Sequence, residues 1–225
     1  MVKSKHSRYN PLYTMITVVM ENAFFDRCKR YLSGRIIDIG CGEKPFKDLL
    51  SGIVSEHVGV DHHDTVHDRS NIDIFGTAYH IPVEDASFDG AICTAVLEHL
   101  EEPEMALREC YRVLKKGAHA IYTVPLFYPV HEAPRDFYRF TNFGLKYLFE
   151  KVGFTIVEIH PLSGFALTFL QLHLKLVKNK LDRGIIKKLR LVDIYIYLCS
   201  KLGLFLNKYD NTKIYTWMYL VVARK

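Results

Sequence analysis

The sequence predicts an α/β fold, a doubly wound and mainly parallel sheet of seven strands with an N-terminal helix and a helical insertion before the last strand. Short apolar runs such as 36–39 and 118–124 alternate with stretches of helical periodicity, as parallel strands joined by crossover helices do. Two of those runs end in features that a ligand-binding sheet edge needs, Gly40-Cys41-Gly42 and Asp61. A chain of 225 residues with 49% apolar side chains is long enough for one large domain and too apolar for a disordered one.

Taken in order, residues 1–9 are a polar tail, and Asn10-Pro11 reads as an N-cap with proline at the first helical position. Leu12, Ile16, Val19, Ala23 and Phe24 give a helical apolar stripe that Ser33-Gly34 ends. Residues 36–39 are a strand, 46–51 a helix, 57–60 a second strand closing at Asp61, and 89–94 a third clear strand. Residues 103–114 are helical and stopped by Gly117, after which 118–124 form a strand broken by Pro125. A helix over 142–151 closes at Gly153, a strand covers 155–159, and 216–222 make the last strand. Between 163 and 210 the alternation stops. Leu167, Leu170, Leu174, Val177 and Leu181, then Ile185, Leu189, Val192, Ile196 and Cys199, follow helical spacing and predict two amphipathic helices. The expected organisation is one domain over 1–225: tail and helix 1–34, core 35–162, insertion 163–210 and closing strand 211–225.

Composition narrows the setting. Cys28, Cys41, Cys93, Cys110 and Cys199 are odd in number and include no C-x-x-C pair, which argues against a disulfide framework and for a reducing, cytoplasmic location. No signal peptide is expected at the polar start, and the uncharged stretch 159–174 is short for a membrane span. The net charge of +5 is unevenly placed: residues 161–225 hold 12 basic and 3 acidic side chains, a net of +9, and the first 160 residues carry −4. Such segregation suits a surface facing phosphate or anionic lipid, and equally the wet faces of ordinary helices.

The strongest local signal is Asp38-Ile39-Gly40-Cys41-Gly42, where glycines let the backbone approach a ligand, followed nineteen residues later by Asp61, suited to a ribose. The sequence continues Glu43-Lys44-Pro45-Phe46, with no third glycine and an acid badly placed beside a diphosphate. A cofactor with a ribose and no phosphate fits better. The run 36–46 resembles the first motif of class I S-adenosylmethionine (SAM)-dependent methyltransferases, which have a Rossmann-like sheet. His80-Ile81-Pro82-Val83-Glu84-Asp85-Ala86-Ser87-Phe88-Asp89, Leu97-Glu98-His99-Leu100 and the stretch from Ala106 to Gly117 are similar to that family's later segments, in the right order. The resemblance implies a methyl transferase with SAM as cofactor, held by Asp38, Gly40, Cys41, Gly42, Glu43, Asp61, His62, Thr77, Ala78, Tyr79 and Thr94. Thr77 stands where the family often has an acid near the adenine amine, so adenine contacts fall to the backbone at Ala78 and Tyr79, or to Asp73.

The loop 125–141 is rich in His, Asp, Arg and Tyr and is suited to a polar acceptor. With 42–46 it looks like the methyltransferases of surface-polysaccharide synthesis, which implies O-methylation of a sugar or other small polar molecule. A non-catalytic SAM-binding protein, and transfer to nucleic acid, protein or a lipid or quinone precursor, are the alternatives. Nucleic acid is the weaker one, since no Asn/Asp-Pro-Pro-aromatic motif occurs. His131, Asp136 and His99 are the candidate catalytic residues, and Tyr128, Arg135, Tyr138 and Arg139 the candidate acceptor ligands. Plainer readings compete: Glu98-His99 as a helix cap, and His131 and Asp136 in a loop salt bridge with Arg135 or Arg139. His57, His62, His63 and His67 have spacings that a metal could use, but they follow the ribose acid in what should be a solvated loop, and no metal is expected. The insertion 163–210, with nine basic and three acidic residues, fits a peripheral contact with an anionic membrane; packing on the sheet or on a second copy of the chain, as a homodimer, is the competing use.

Overall fold

The computed structural model describes residues 14–65, 68–181 and 190–225. By their contacts the residues divide into two compact units, Met1–Asn22 with Pro161–Trp217, and Ala23–His160 with Met218–Lys225.

The second unit contains the sheet. Its strands are β1 (Arg35–Ile39), β2 (Glu56–Asp61), β3 (Ile74–Phe75), β4 (Phe88–Thr94), β5 (Leu114–Pro125), β6 (Thr155–Pro161) and β7 (Met218–Arg224). They run in the order β3-β2-β1-β4-β5-β7-β6. All pairs from β3 to β5 are parallel, and β7 lies antiparallel to β5. The sheet is therefore mixed and mainly parallel, as expected. Strands β1, β4 and β7 are buried along nearly their whole length, which is why the sequence shows them as unbroken apolar runs rather than as alternation. The chain order reverses between β1 and β4, and that switch point opens a crevice at the carboxyl ends of these strands.

The helices are α1 (Thr14–Tyr31), α2 (Lys47–Leu50), α3 (Pro103–Val113), α4 (Asn142–Val152), α5 (Phe165–Leu181) and α6 (Leu191–Asn207). Thr141 caps α4, its hydroxyl accepting from Gly144 N at 3.1 Å, and Gly153 closes it in the left-handed region at φ 111°. Gly117 plays a different part from the one expected. α3 already ends at Val113, and Gly117 sits inside β5 at φ 83°, its N–H donating to Lys225 O; the register between β4 and β5 shifts there. The glycine permits an irregularity in a strand rather than a helix stop. β3, only two residues long, had no apolar run to announce it.

In the first unit α5 and α6 pack through Leu167, Leu174, Val192 and Ile196, joined by Val19. Asn10, Pro11 and Leu12 of the expected N-terminal stripe, and Ile185 and Leu189 of the expected second helix, lie outside the described residues. No helix among the described residues is long and apolar enough to cross a membrane.

Candidate active site

β1 delivers the chain into Gly40 at φ 70° and Gly42 at φ 48°, both in the region that favours glycine. A Cβ on Gly40 would stand 2.5 Å from Val96 Cγ2, so the turn after β1 lies directly on the segment that leaves β4. Asp61 closes β2 and is buried. Its Oδ2 accepts from Gly42 N at 2.9 Å and its Oδ1 from His62 N at 2.8 Å. Each oxygen keeps a lone pair, so a ribose could add two hydroxyl donors without displacing an amide. His62 contributes its backbone; its ring Nδ1 accepts from Asp64 N.

Under this turn lies a polar network that the sequence did not announce. Asp38 Oδ2 is 2.9 Å from His57 Nε2. Lys44 is buried at φ 50° and its ammonium donates to His57 O and to Asp73 Oδ2, which also accepts from Gly59 N. Asp73, a candidate for the adenine amine, thus has this oxygen turned inward to Lys44 and Gly59. No local pattern marks Lys44, because its partners come from β2 and the approach to β3. Glu43 is exposed at the mouth of the turn. Cys41 is buried, and burial pushes its thiol up to about 12, so it stays uncharged and acts as a small packing group.

Thr77, Ala78 and Tyr79 form a tight turn. Thr77 Oγ1 accepts from His80 N, and the Tyr79 hydroxyl donates to Glu101 Oε2 at 3.0 Å. Thr94 ends β4 in register with Thr123 of β5.

The acceptor side is built where the exit of β4 meets the loop after β5. Phe137 N and Tyr138 N both donate to Glu98 O, which pins the loop to the turn Leu97–His99. Asp136 and Arg139 form a bidentate pair at 2.6 and 2.7 Å, and Asp136 Oδ2 also accepts from His131 N at 2.9 Å. The Arg139 guanidinium beside it, outweighing burial, holds the Asp136 carboxyl well below the usual range. Arg139 donates further to Tyr128 O, Pro129 O and Tyr138 O. All five of its N–H groups are therefore occupied inside the loop, and the expectation that Arg139 binds the acceptor is corrected: it is the loop's clamp. Arg135, by contrast, is exposed. The Tyr138 hydroxyl donates to Glu101 O at 3.0 Å, and the Tyr128 ring lies 4.6 Å from that of His131.

His99 and His131 meet edge to face with ring centres 4.6 Å apart. His99 Nδ1 faces the Arg135 carbonyl and must donate to it, which in the neutral ring leaves Nε2 as a bare acceptor. His131 Nδ1 lies 3.4 Å from Asp136 Oδ2, and its Nε2 lies 3.9 Å from Glu98 Oε1. Burial, reinforced by His99, lowers the His131 pKa. Glu98 is fully buried and neither carboxylate oxygen has a hydrogen-bond partner. The helix-cap reading of Glu98 is thereby excluded: neither α3 nor the turn Leu97–His99 has a side-chain cap. The sign in the sequence was an acid set between Leu97 and Leu100, two apolar neighbours. The other histidines do not gather: His57 binds Asp38, His63 stacks on Phe75 at 4.3 Å, and His67 lies outside the described residues.

A separate surface cavity of about 410 Å³ is lined by His80, Ile81, Pro82, Val83, Glu84 and Arg112. Arg112 is already saturated by Glu109, Asp85, Ile81 O and Val83 O, so the cavity offers no free cation to an anion.

Residues 37–122 match the family described as "Methyltransferase domain". Over those residues the chain is similar to that family, and its fold is that of the class I type. It is 28% identical over 147 residues to a probable S-adenosylmethionine-dependent methyltransferase of Mycolicibacterium smegmatis, covering 60% of this chain and 57% of that one. It is 27% identical over 136 residues to a ubiquinone biosynthesis O-methyltransferase of Alkalilimnicola ehrlichii, covering 55% and 53%. The chain thus spans little more than half the length of these curated relatives. In fold it is similar to the crystal structure of a SAM-dependent methyltransferase from Archaeoglobus fulgidus, with a TM-score of 0.57, 20% identity and coverage of 98% and 97%. The domain's cofactor, SAM, fits the turn described above. Gly40 and Gly42 hold the left-handed backbone that shapes the turn, Asp61 retains acceptors for a ribose, and Glu43 stands at the mouth.

Proposed function

We propose that the chain transfers a methyl group from SAM to an oxygen of a small polar acceptor, a sugar hydroxyl before others. One observation carries the reading: two imidazoles and a buried carboxylate converge on the β4 exit, and that exit touches the cofactor turn through Gly40 and Val96. SAM brings a methyl already made electrophilic by its sulfonium. The protein's part is to align the two reactants and receive the hydroxyl proton. Asp61 holds the ribose, and the glycines admit the methionine part. His131 takes the acceptor's proton, while Asp136, itself fixed by Arg139, positions that ring. Arg135, Tyr128 and Tyr138 supply the rim on which a polar acceptor would lie. The polysaccharide assignment draws on the loop 125–141 together with residues 42–46; the ubiquinone O-methyltransferase among the relatives supports oxygen as the acceptor atom and makes a quinone precursor the second substrate to try.

A screen with methyl-labelled SAM over free sugars, lipid-linked sugars, quinone precursors and RNA tests the reading. Label in a sugar, lost in His131→Ala with SAM affinity kept, supports it. SAM binding with no label transferred to any acceptor class favours a non-catalytic binder. Absence of SAM binding at high micromolar concentration overturns it.

The helical pair supports a membrane-facing role. Val192, Ile196, Ser200 and Gly203 of α6 are buried, yet a second apolar stripe, Leu191, Ile194, Leu198, Leu202 and Phe205, is exposed. Lys180, Lys201, Lys208 and Lys213 are exposed in the same unit, a charge complement to anionic lipid worth roughly 1 kcal/mol for each side chain engaged. Flotation with anionic but not neutral vesicles, reversed by salt, is the expected result. A salt-resistant dimer that ignores vesicles would assign the stripe to a second copy of the chain.

A further inference from the structure

We propose that Glu98, His99 and His131 form a binding site for one divalent transition-metal ion, placed where the acceptor oxygen is expected. Among the described residues these three form the one group of His, Cys, Asp and Glu side chains whose ligand atoms lie within 4.8 Å of one another. Glu98 Oε1 is 3.9 Å from His99 Nε2 and 3.9 Å from His131 Nε2. Ligand bonds of about 2.1 Å at tetrahedral angles put donor atoms about 3.4 Å apart, so the two separations from Glu98 must shorten by about 0.5 Å, and the third, within 4.8 Å, by up to about 1.4 Å, for the set to close on an ion.

Two further observations point to a ligand rather than to chance proximity. The first is Glu98 itself: its carboxyl is fully buried with neither oxygen paired to another residue, and a cation is what would stabilise it in its ionised form. The second is the outer shell. Metal-bound imidazoles characteristically hand their other ring nitrogen to a carbonyl or carboxylate. His99 does so to Arg135 O, and His131 Nδ1 faces Asp136, which Arg139 locks in place. Each ring thus turns Nε2 inward. Glu132 Oε2, 3.8 Å from His99 Nε2 and half exposed, is a further carboxylate on the solvent side.

Two imidazoles and one carboxylate suit zinc, manganese, iron(II) or cobalt(II) and disfavour magnesium, which prefers oxygen. Three protein ligands leave a position open for water or an acceptor oxygen. A hydroxyl bound there would be drawn toward its ionised form; its O–H bond breaks, the proton passes to bulk water, and the oxygen's electron pair attacks the methyl while the sulfur–methyl bond of SAM breaks and its pair returns to sulfur as a neutral thioether. This inference rests on the site of the proposed methyl transfer but gives His131 another task, since a lone pair donated to an ion no longer accepts a proton. No local pattern in the sequence brings His131 to Glu98; the loop's pinning on Glu98 O does.

The test uses the full chain, stripped with chelator and titrated with Zn²⁺ by calorimetry and with Co²⁺ by visible absorption, with Mg²⁺ as comparison. One Zn²⁺ or Co²⁺ per chain is expected. Glu98→Gln and His131→Ala should each weaken it at least about tenfold, and Asp136→Asn about 10–100-fold through the outer shell, with melting curves confirming that the variants fold. No ion bound by the parent at high micromolar concentration, or equal affinity in parent and both ligand variants, overturns the site. The two readings fail separately. Turnover that survives chelation and depends on His131 keeps the methyl-transfer proposal without the metal, and an ion bound by a chain that does not bind SAM keeps the metal without the transfer.

Discussion

Two buried carboxylates stand at the carboxyl edge of one sheet in opposite states. Asp61 has a backbone N–H on each oxygen; Glu98 has no hydrogen bond on either. Asp61 is complete before any ligand arrives, and a ribose adds to it. Glu98 is incomplete and faced by two imidazoles. Burial alone therefore says little about a carboxylate's role. The groups that fill its lone pairs decide whether it is an anchor or a socket.

The largest expected effect breaks the socket's support. Asp136→Ala leaves the Arg139 guanidinium without its carboxylate and frees the His131 amide, so stability should fall by about 3 kcal/mol, the lower end of the loss when one member of a buried pair is removed, because this pair is only partly buried. Chemical denaturation reads it, and a loss under about 1 kcal/mol would show the loop to be held by other contacts. Next is Glu98→Gln in chelator-treated protein. Burial pushes the Glu98 carboxyl up from 4.5 to about 8. The unfolded chain releases that proton near pH 4.5 and the folded chain only near 8, so the parent's stability should decline as pH rises between those values. Glutamine has no proton to lose. The variant should match the parent near pH 4.5 and exceed it by about 3 kcal/mol at pH 7, because each tenfold fall in proton concentration across that window is worth about 1.4 kcal/mol. Parallel curves would mean that Glu98 is solvated or paired in solution.

The same contrast explains what was legible in the sequence. Asp61 could be read because the groups that complete it, Gly42 and His62, are nearby in sequence or on the next strand, and glycine turns and strand-end acids are local signals. The seven-stranded sheet was legible for the same reason, with the exception of the two-residue β3 and of Gly117, whose strand irregularity mimics a helix stop. Glu98 could not be read as a socket. Its state depends on His131, Asp136 and Arg139, brought to it by two backbone bonds from a loop more than thirty residues later. Arg139 is illegible for that reason too: its type suggests a ligand for the acceptor, and only the fold reveals five occupied donors.

A third test acts on the anchor. Asp61→Ala removes both acceptors facing the ribose and releases Gly42 N, and should weaken SAM binding by about 2 kcal/mol, roughly thirtyfold. Metal binding at Glu98 should not move. A variant that loses the ion as well would join the two regions into one unit and erase the distinction between them.

The smallest effect probes the point where anchor and socket touch. Gly40 holds φ 70°, which costs an L-residue about 1 kcal/mol, and a Cβ there meets Val96 Cγ2 at 2.5 Å. Val96 is β-branched and stiff about χ1, so it cannot simply swing aside; it should push the β4 exit, and Glu98 two residues on, away from the turn. Gly40→Ala is therefore expected to weaken SAM binding only about fivefold, and to lower turnover by more than that affinity loss explains, because donor and acceptor sides separate. Val96→Ala added to it relieves the contact but not the backbone strain. Turnover at saturating SAM should recover in the double variant while the affinity defect persists. If affinity and turnover recover together, the contact alone matters and the strain at Gly40 is negligible; if neither recovers, the two sides are not coupled through Val96.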